Sequence, residues 1–241
     1  MRKYLSNTLV HWTGRGKNDS SAMKSLSTIC NEEILRLTFC PNYVSQSYNP
    51  ETAMVCFTDI PLWNAKEHCK KFGKFGIGFK RNKMIEYGAN PALYTTEKHF
   101  KRILHLSSLL SKMIDLEKDR EWKQEEEPYF FNEDETVAFQ EMLEFLQEYS
   151  YENQDQLDYV TYYQREWRIA FKSLPFAGGN TVQQPGMSCF YIVDGKSYSN
   201  FKFKKTDINF IVLPFKYWRE GRKLSKKLNC KLKIYEFSVF M

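Results

Sequence analysis

The chain has 241 residues, of which 16% are aromatic and 27% charged, and a formal net charge of +6. That length fits one domain, or one domain with a large insertion, and so many aromatics are enough to build a dense core. No window of ~18 apolar residues exists, so no membrane-spanning helix is expected, and no long apolar run follows the basic start MRKYLSNTLVHW, so no secretory signal is expected either.

Six cysteines, Cys30, Cys40, Cys56, Cys69, Cys189 and Cys230, are scattered without a C-x-x-C pair. A chain of this size needs no covalent staples, so they read as reduced, mostly buried thiols of a cytoplasmic protein. The charge is unevenly distributed. Residues 115–158 hold 16 acidic side chains against 3 basic ones, and residues 202–233 hold 11 Lys or Arg against Asp207 and Glu220. Such asymmetry marks either two solvated faces or a basic surface made for nucleic acid or for an acidic arm.

In chain order, residues 4–13 read as a strand running into the turn Gly14-Arg15-Gly16. Ser20 or Ser21 is placed to cap a helix with Ala22, Leu26 and Ile29 on one face. Residues 39–52 read as loop, 53–60 as a buried strand stopped by Pro61, 63–71 as a short helix, and 73–79 (GKFGIGF) as a strand. The glycines of that strand imply close approach of a ligand or a neighbouring element, or a bulge. Residues 87–91 form a turn leading to Tyr94, and residues 97–119 carry a helical apolar stripe. Asn132 and Glu135 make a capping box for a second helix through Phe139, Met142, Leu143 and Leu146. Residues 97–158 thus read as a helical acidic insertion within a single domain spanning 1–241. Strands are expected at 166–172, 189–193, 208–213 and 231–240, with a basic helix at 217–228 and a flexible loop at 178–186. The fold class is α+β, a mixed and mainly antiparallel sheet with helices on its faces.

No Walker loop, Rossmann turn, G-x-S-x-G elbow or zinc-binding spacing occurs. His99 and His105, six residues apart, face different sides of a helix, so no metal site is expected. Two places remain. His11 ends the first strand beside a glycine turn, where an imidazole reaches a cleft without burying a charge. Glu166 opens a strand between Arg165 and Arg168, and strand alternation puts Glu166 and Arg168 on one side with Trp167 and Ile169 on the other. Read plainly, His11 is an edge histidine and Glu166 one half of an ion pair with a neighbouring arginine. Read functionally, the two meet across one concavity. A separate surface, residues 202–233, sets Phe201, Phe203, Tyr217 and Trp218 among lysines that would track a nucleic-acid backbone while the rings stack on bases.

The ordered blocks LVHWTG, CFTDIPL, HCKKFGKFGIGFKR, YGANPALY, YYQREWRIAF and INFIVLP resemble the AbiGi family of abortive-infection antitoxins. That resemblance covers most of the chain outside the acidic stretch and implies a role in phage defence, with a cognate toxin encoded nearby as partner. More remotely, the layout is similar to ADP-ribosyltransferases of the DarT kind, which implies an ADP-ribosyltransferase-like sheet and NAD as substrate. It implies that His11, assisted by Thr13, hydrogen-bonds the adenosine ribose. Tyr94 or Phe57 would stack on nicotinamide, and Glu166 would hold the nicotinamide ribose. A carboxylate fixed there would stabilise the oxocarbenium-like charge of glycosidic cleavage, and Arg168 would contact the diphosphate through its guanidinium fork. Gln164-Arg165-Glu166 reads Q-x-E, but Glu166 opens E-W-R, which leaves the acceptor open. The alternative is a non-catalytic antitoxin that masks a toxin or nucleic acid.

Overall fold

The computed structural model describes residues 6–40, 52–96, 146–149, 165–171, 187–193 and 196–235, with helical positions 98–99, 101–103, 105–106, 109 and 112. In chain order these residues form β1 (Thr8–Thr13), α1 (Asp19–Glu32), β2 (Ile34–Arg36), β3 (Thr38–Cys40), β4 (Thr52–Thr58), α2 (Lys66–Phe72), β5 (Phe75–Lys80) and α3 (Arg81–Glu86). They continue as β6 (Asn90–Pro91), β7 (Leu93–Thr96), β8 (Leu146–Tyr149), β9 (Glu166–Phe171), β10 (Met187–Val193), β11 (Lys196–Lys202), β12 (Ile208–Pro214), α4 (Trp218–Leu228) and β13 (Lys231–Tyr235).

The main sheet runs β13-β12-β5-β1-β4-β9-β6, with β3 also paired to β4. Its pairs are antiparallel except β12 and β13, which α4 connects as a parallel crossover. A second sheet is β10-β11-β2, and β7 pairs with β8. The fold is therefore α+β and mainly antiparallel.

Strand alternation sorts the side chains into two cores. On one face Leu9, Val55, Phe57, Phe75, Ile77, Phe79, Ile211 and Leu213 pack under Ala22, Met23, Leu26 and Cys30 of α1 and Leu224 and Leu228 of α4. On the other, Val10, Trp12, Phe210 and Val212 pack with Ile60, Ala65 and Cys69 around α2. The glycines of β5 belong to this second face, and the element that approaches them is a neighbouring side chain. Phe210 lies opposite Gly78 across the β12–β5 ladder, and a Cβ at Gly78 would come within 2.5 Å of the Phe210 ring.

Several expectations change locally. The cap of α1 is Asn18 rather than Ser20 or Ser21: its Oδ1 accepts from the Ser21 N–H at 2.8 Å, because the helix starts one turn earlier than its apolar stripe. Residues 39 and 40, read as loop, pair with β4 as part of β3. Leu146, read as helical, opens a strand parallel to β7, so tertiary pairing overrides its helical spacing there, while residues 132–145 lie outside the described residues, as does the loop at 178–186. Phe201 and Phe203 are buried at 0% and 1% exposure. They meet Tyr87 and Phe79 edge to face and are not offered to bases.

A buried ion-pair node ties the sheet ends together. Asp59, just after β4, is only 3% exposed; it accepts from Arg81 Nη2–H at 2.8 Å at the start of α3 and from Arg165 Nη2–H at 2.9 Å just before β9, with Arg165 Nε in ion-pair contact with its other oxygen. Arg165 sits at φ 46°, a left-handed conformation that costs a non-glycine residue about 1 kcal/mol or more. Two arginines on one carboxylate hold it there.

Gly78→Ala drives a methyl into the Phe210 ring and is expected to destabilise the protein by roughly 1–3 kcal/mol, read as a fall in urea midpoint. Combining it with Phe210→Leu should restore part of the loss; an unaffected single variant would show that the ring does not occupy that space.

Candidate functional site

β1 pairs β5 along its whole length, from Thr8↔Lys80 to Thr13↔Phe75, and β4 pairs β9 from Ala53↔Phe171 to Thr58↔Glu166. Yet β1 and β4 meet only at Val10↔Thr58. Beyond that pair the two central strands part, and a cleft of ≈ 200 Å³ opens between them. Its polar lining is His11, Arg36, Cys56, His68 and Glu166, and its apolar lining is Val10, Trp12, Met54, Val55, Phe57 and Phe72.

The separation leaves β4 carbonyls without ladder partners, and His11 satisfies one. Its Nδ1 lies 3.0 Å from the Cys56 carbonyl oxygen. A carbonyl only accepts, so Nδ1 carries the proton. Burial lowers the His11 pKa below its ordinary 6.5, outweighing that hydrogen bond, and a neutral ring with Nδ1–H presents Nε2 as a bare acceptor. The ring stands edge-on to Phe57 at 6.0 Å.

Glu166 is held from behind. Arg168, 7% exposed, donates Nε–H to Oε1 at 2.9 Å and Nη2–H to Oε2 at 3.2 Å, a bidentate fork. The Tyr94 hydroxyl donates to Oε2 at 3.5 Å, and burial and then the Glu166 charge raise its pKa. Arg165 turns away to Asp59.

Of the residues the sequence singles out, His11, Phe57 and Glu166 border the cleft, while Tyr94 and Arg168 support Glu166 from outside its lining and Thr13 ends β1 beyond it. Phe57 is 3% exposed and packs edge-on against Phe79, so its ring belongs to the core. The pleat also separates the pair of central interest. Val10, Thr58 and Glu166 are aligned across the ladders, so Glu166 rises on the α2 face, whereas His11, aligned with Ile77, starts on the α1 and α4 face. They reach one cleft because it passes between the parted strands.

His68 and Trp12 also line the cleft, though sequence reading gave neither of them a role. His68, on α2, stacks on Phe72 with centroids 4.4 Å apart and lies 6.1 Å from Trp12. Burial and then the Lys71 charge push its pKa down to about 4, against the opposing pull of Glu166. The Trp12 Nε1–H is buried and meets no acceptor among the described residues. His68 carried a signal, being two positions before Lys70-Lys71 in the block HCKKFGKFGIGF; nothing local placed it beside Glu166, nearly a hundred residues later. Among the described residues no three His, Cys, Asp or Glu side chains gather to hold a metal ion, and no helix is long and apolar enough to cross a membrane.

An open α+β sheet, split at its centre around a small cleft of mixed polar and apolar lining, defines the class. The family follows: residues 25–214 match the model described as abortive phage resistance protein AbiGi, antitoxin, and the chain belongs to that family. The match takes in CFTDIPL through INFIVLP, with His68, Tyr94, Glu166 and Arg168; LVHWTG with His11 precedes it, and α4 and β13 follow it. No curated protein matches the chain and no solved structure matches it, so the likeness to ADP-ribosyltransferases rests on the residues alone.

The depressed histidines make a pH prediction. Above pH 6.5 they are neutral in both folded and unfolded chains. Below it the unfolded chain takes up protons that folded His68 refuses until about pH 4, so stability falls as pH drops through that window, by up to about 3 kcal/mol from His68. His68→Gln is expected to flatten the plot of urea midpoint against pH between those values; an unchanged slope would assign the dependence to other groups.

Proposed function

We propose that the chain is the antitoxin of an abortive-infection pair and neutralises its cognate toxin by binding it, without turning over a substrate. The observation that carries this reading is the Arg168 fork on both oxygens of Glu166. With His11 Nδ1–H given to the Cys56 carbonyl, the polar groups named for catalysis are largely satisfied within the fold. The cleft, at ≈ 200 Å³, is smaller than the ~300–1,000 Å³ of sites that enclose a small ligand. An antitoxin implies a toxin partner, and co-expression with the neighbouring gene tests the mechanism. His11→Ala and Glu166→Ala are expected to rescue growth as well as the unaltered chain does. Loss of rescue by either variant, with its thermal unfolding unchanged, would refute binding without catalysis.

A second reading is favoured by one observation, that His11 and Glu166 line the same cleft. In it the cleft is an ADP-ribosyltransferase-like pocket that opens for NAD. His11 would accept from the adenosine ribose, Glu166 would face the nicotinamide ribose beneath Tyr94, and Arg168 would have to release Glu166 to reach the diphosphate. Incubating the pure protein with labelled NAD and cell extract decides between the two. The binding reading expects no labelled protein above background, whereas labelling that disappears in Glu166→Ala would establish the enzyme.

A further inference from the structure

α4 is a helix with two opposed faces. Gly221, Leu224, Ser225 and Leu228 are buried, with the Gly221 backbone close against Leu213 and Leu232. At 100° per residue, Arg219, Arg222, Lys223, Lys226 and Lys227 fall on the opposite side, within an arc of roughly 140° and over about 12 Å of axis. All five are exposed. Arg219–Lys223, Arg222–Lys226 and Lys223–Lys227 are like charges at the i,i+4 spacing that repels. Among the described residues none of the five makes an ion pair; Lys227 donates to Asn31 on α1 at 2.7 Å, and Arg219 lies over the Trp218 ring. Glu220 is the helix's one acid. Lys216 and Lys231, both exposed, extend the charge at either end, and Phe215, 56% exposed, stands at the turn leading into the helix.

A self-repelling array on a helix that its buried face already anchors gains nothing from the fold. It suits a polyanion whose charges repeat at short, regular intervals. About 12 Å of helix matches roughly three to four phosphates of a strand whose bases stay stacked, at ~3.4 Å per nucleotide. An exposed aromatic at the end of such a track is the stacking platform by which single strands are held.

We propose that the outer face of α4, with Phe215 at its N-terminal end, binds single-stranded nucleic acid through its phosphates. The surface is separate from the β1–β4 cleft and lies beyond the stretch matching the family model, so it holds whichever reading of the cleft is right. An acidic protein face is the competing occupant, but it offers neither regular charge spacing nor bases for Phe215.

The test is fluorescence anisotropy of the full chain with a labelled ~20-nucleotide single-stranded RNA, the same sequence as single-stranded DNA, and its duplex, at ~50 to ~200 mM salt. The full chain is the right probe, because a face already screened by the acidic stretch at 115–158 would not bind. Binding of the single strands is expected, weakening steeply with salt. The triple variant Arg222→Ala/Lys223→Ala/Lys226→Ala is expected to lose at least tenfold in affinity and to flatten the log–log salt slope by about 2, at ~0.7 per lost phosphate contact. Phe215→Ala should weaken binding at least ~5-fold. Lys70→Ala/Lys83→Ala, which removes two exposed lysines that already pair with Glu67 and Glu86, should bind like the unaltered chain. No binding, equal binding by the triple variant, or loss equally large in the Lys70/Lys83 control would overturn the proposal. Tighter binding of the duplex, or full affinity of Phe215→Ala, would overturn the single-strand assignment. A folded triple variant that keeps nucleic acid but no longer co-purifies with the toxin would make this face a protein surface instead.

Discussion

The early parting of β1 and β4 is the constraint on which the candidate site depends. An antiparallel ladder satisfies every backbone group it includes, and two central strands that leave it after one pair must satisfy theirs otherwise. The His11 ring does so for the Cys56 carbonyl, which fixes its tautomer, while burial keeps it neutral. The same separation makes the cleft and lets side chains from opposite pleat faces border it. Had the ladder continued, Trp12 would lie opposite Cys56, and the imidazole and the Glu166 carboxylate would be on two sides of a closed sheet.

What keeps the split sheet from opening further is packing on either side of it. β5 is a close partner for β1 because Gly78 admits the Phe210 ring, Gly76 admits Trp12, Val10 and Val212, and its Phe75, Ile77 and Phe79 fill the core opposite. β4 and β9 are held by six register pairs and by Asp59, whose carboxylate joins the end of β4 to the starts of α3 and β9. That node also sets where Glu166 begins its strand, since Arg165 takes the left-handed turn immediately before it. The geometry at Glu166 is thus a consequence of the block CFTDIPL, more than a hundred residues earlier in the chain.

The charge distribution follows a different logic. α4 needs only its inward face to dock on β12 and β13, and among the described residues none of its outward cations forms an ion pair, although Lys227 donates to Asn31 on α1. Charge that repels itself on a well-anchored helix is an argument about partners rather than about folding.

Much was legible in the sequence because it is local. Short apolar runs bounded by Gly and Pro located β1, β4, β5, β9 and β12 to within a few residues. An apolar stripe located α1, a basic run after Pro214 located α4, and alternation alone set Glu166 and Arg168 side by side, where they form their ion pair. The family resemblance was likewise legible in the blocks from CFTDIPL to INFIVLP. What sequence could not decide was non-local: that Leu146 pairs with Leu93 as strand, that Phe201 and Phe203 point inward, that His68 comes to Glu166, and that His11 starts from the opposite face. Residue periodicity specifies which side of its own element a side chain takes. Only strand order and register, set by packing across the whole chain, specify which sides face one another, and a site is made of those.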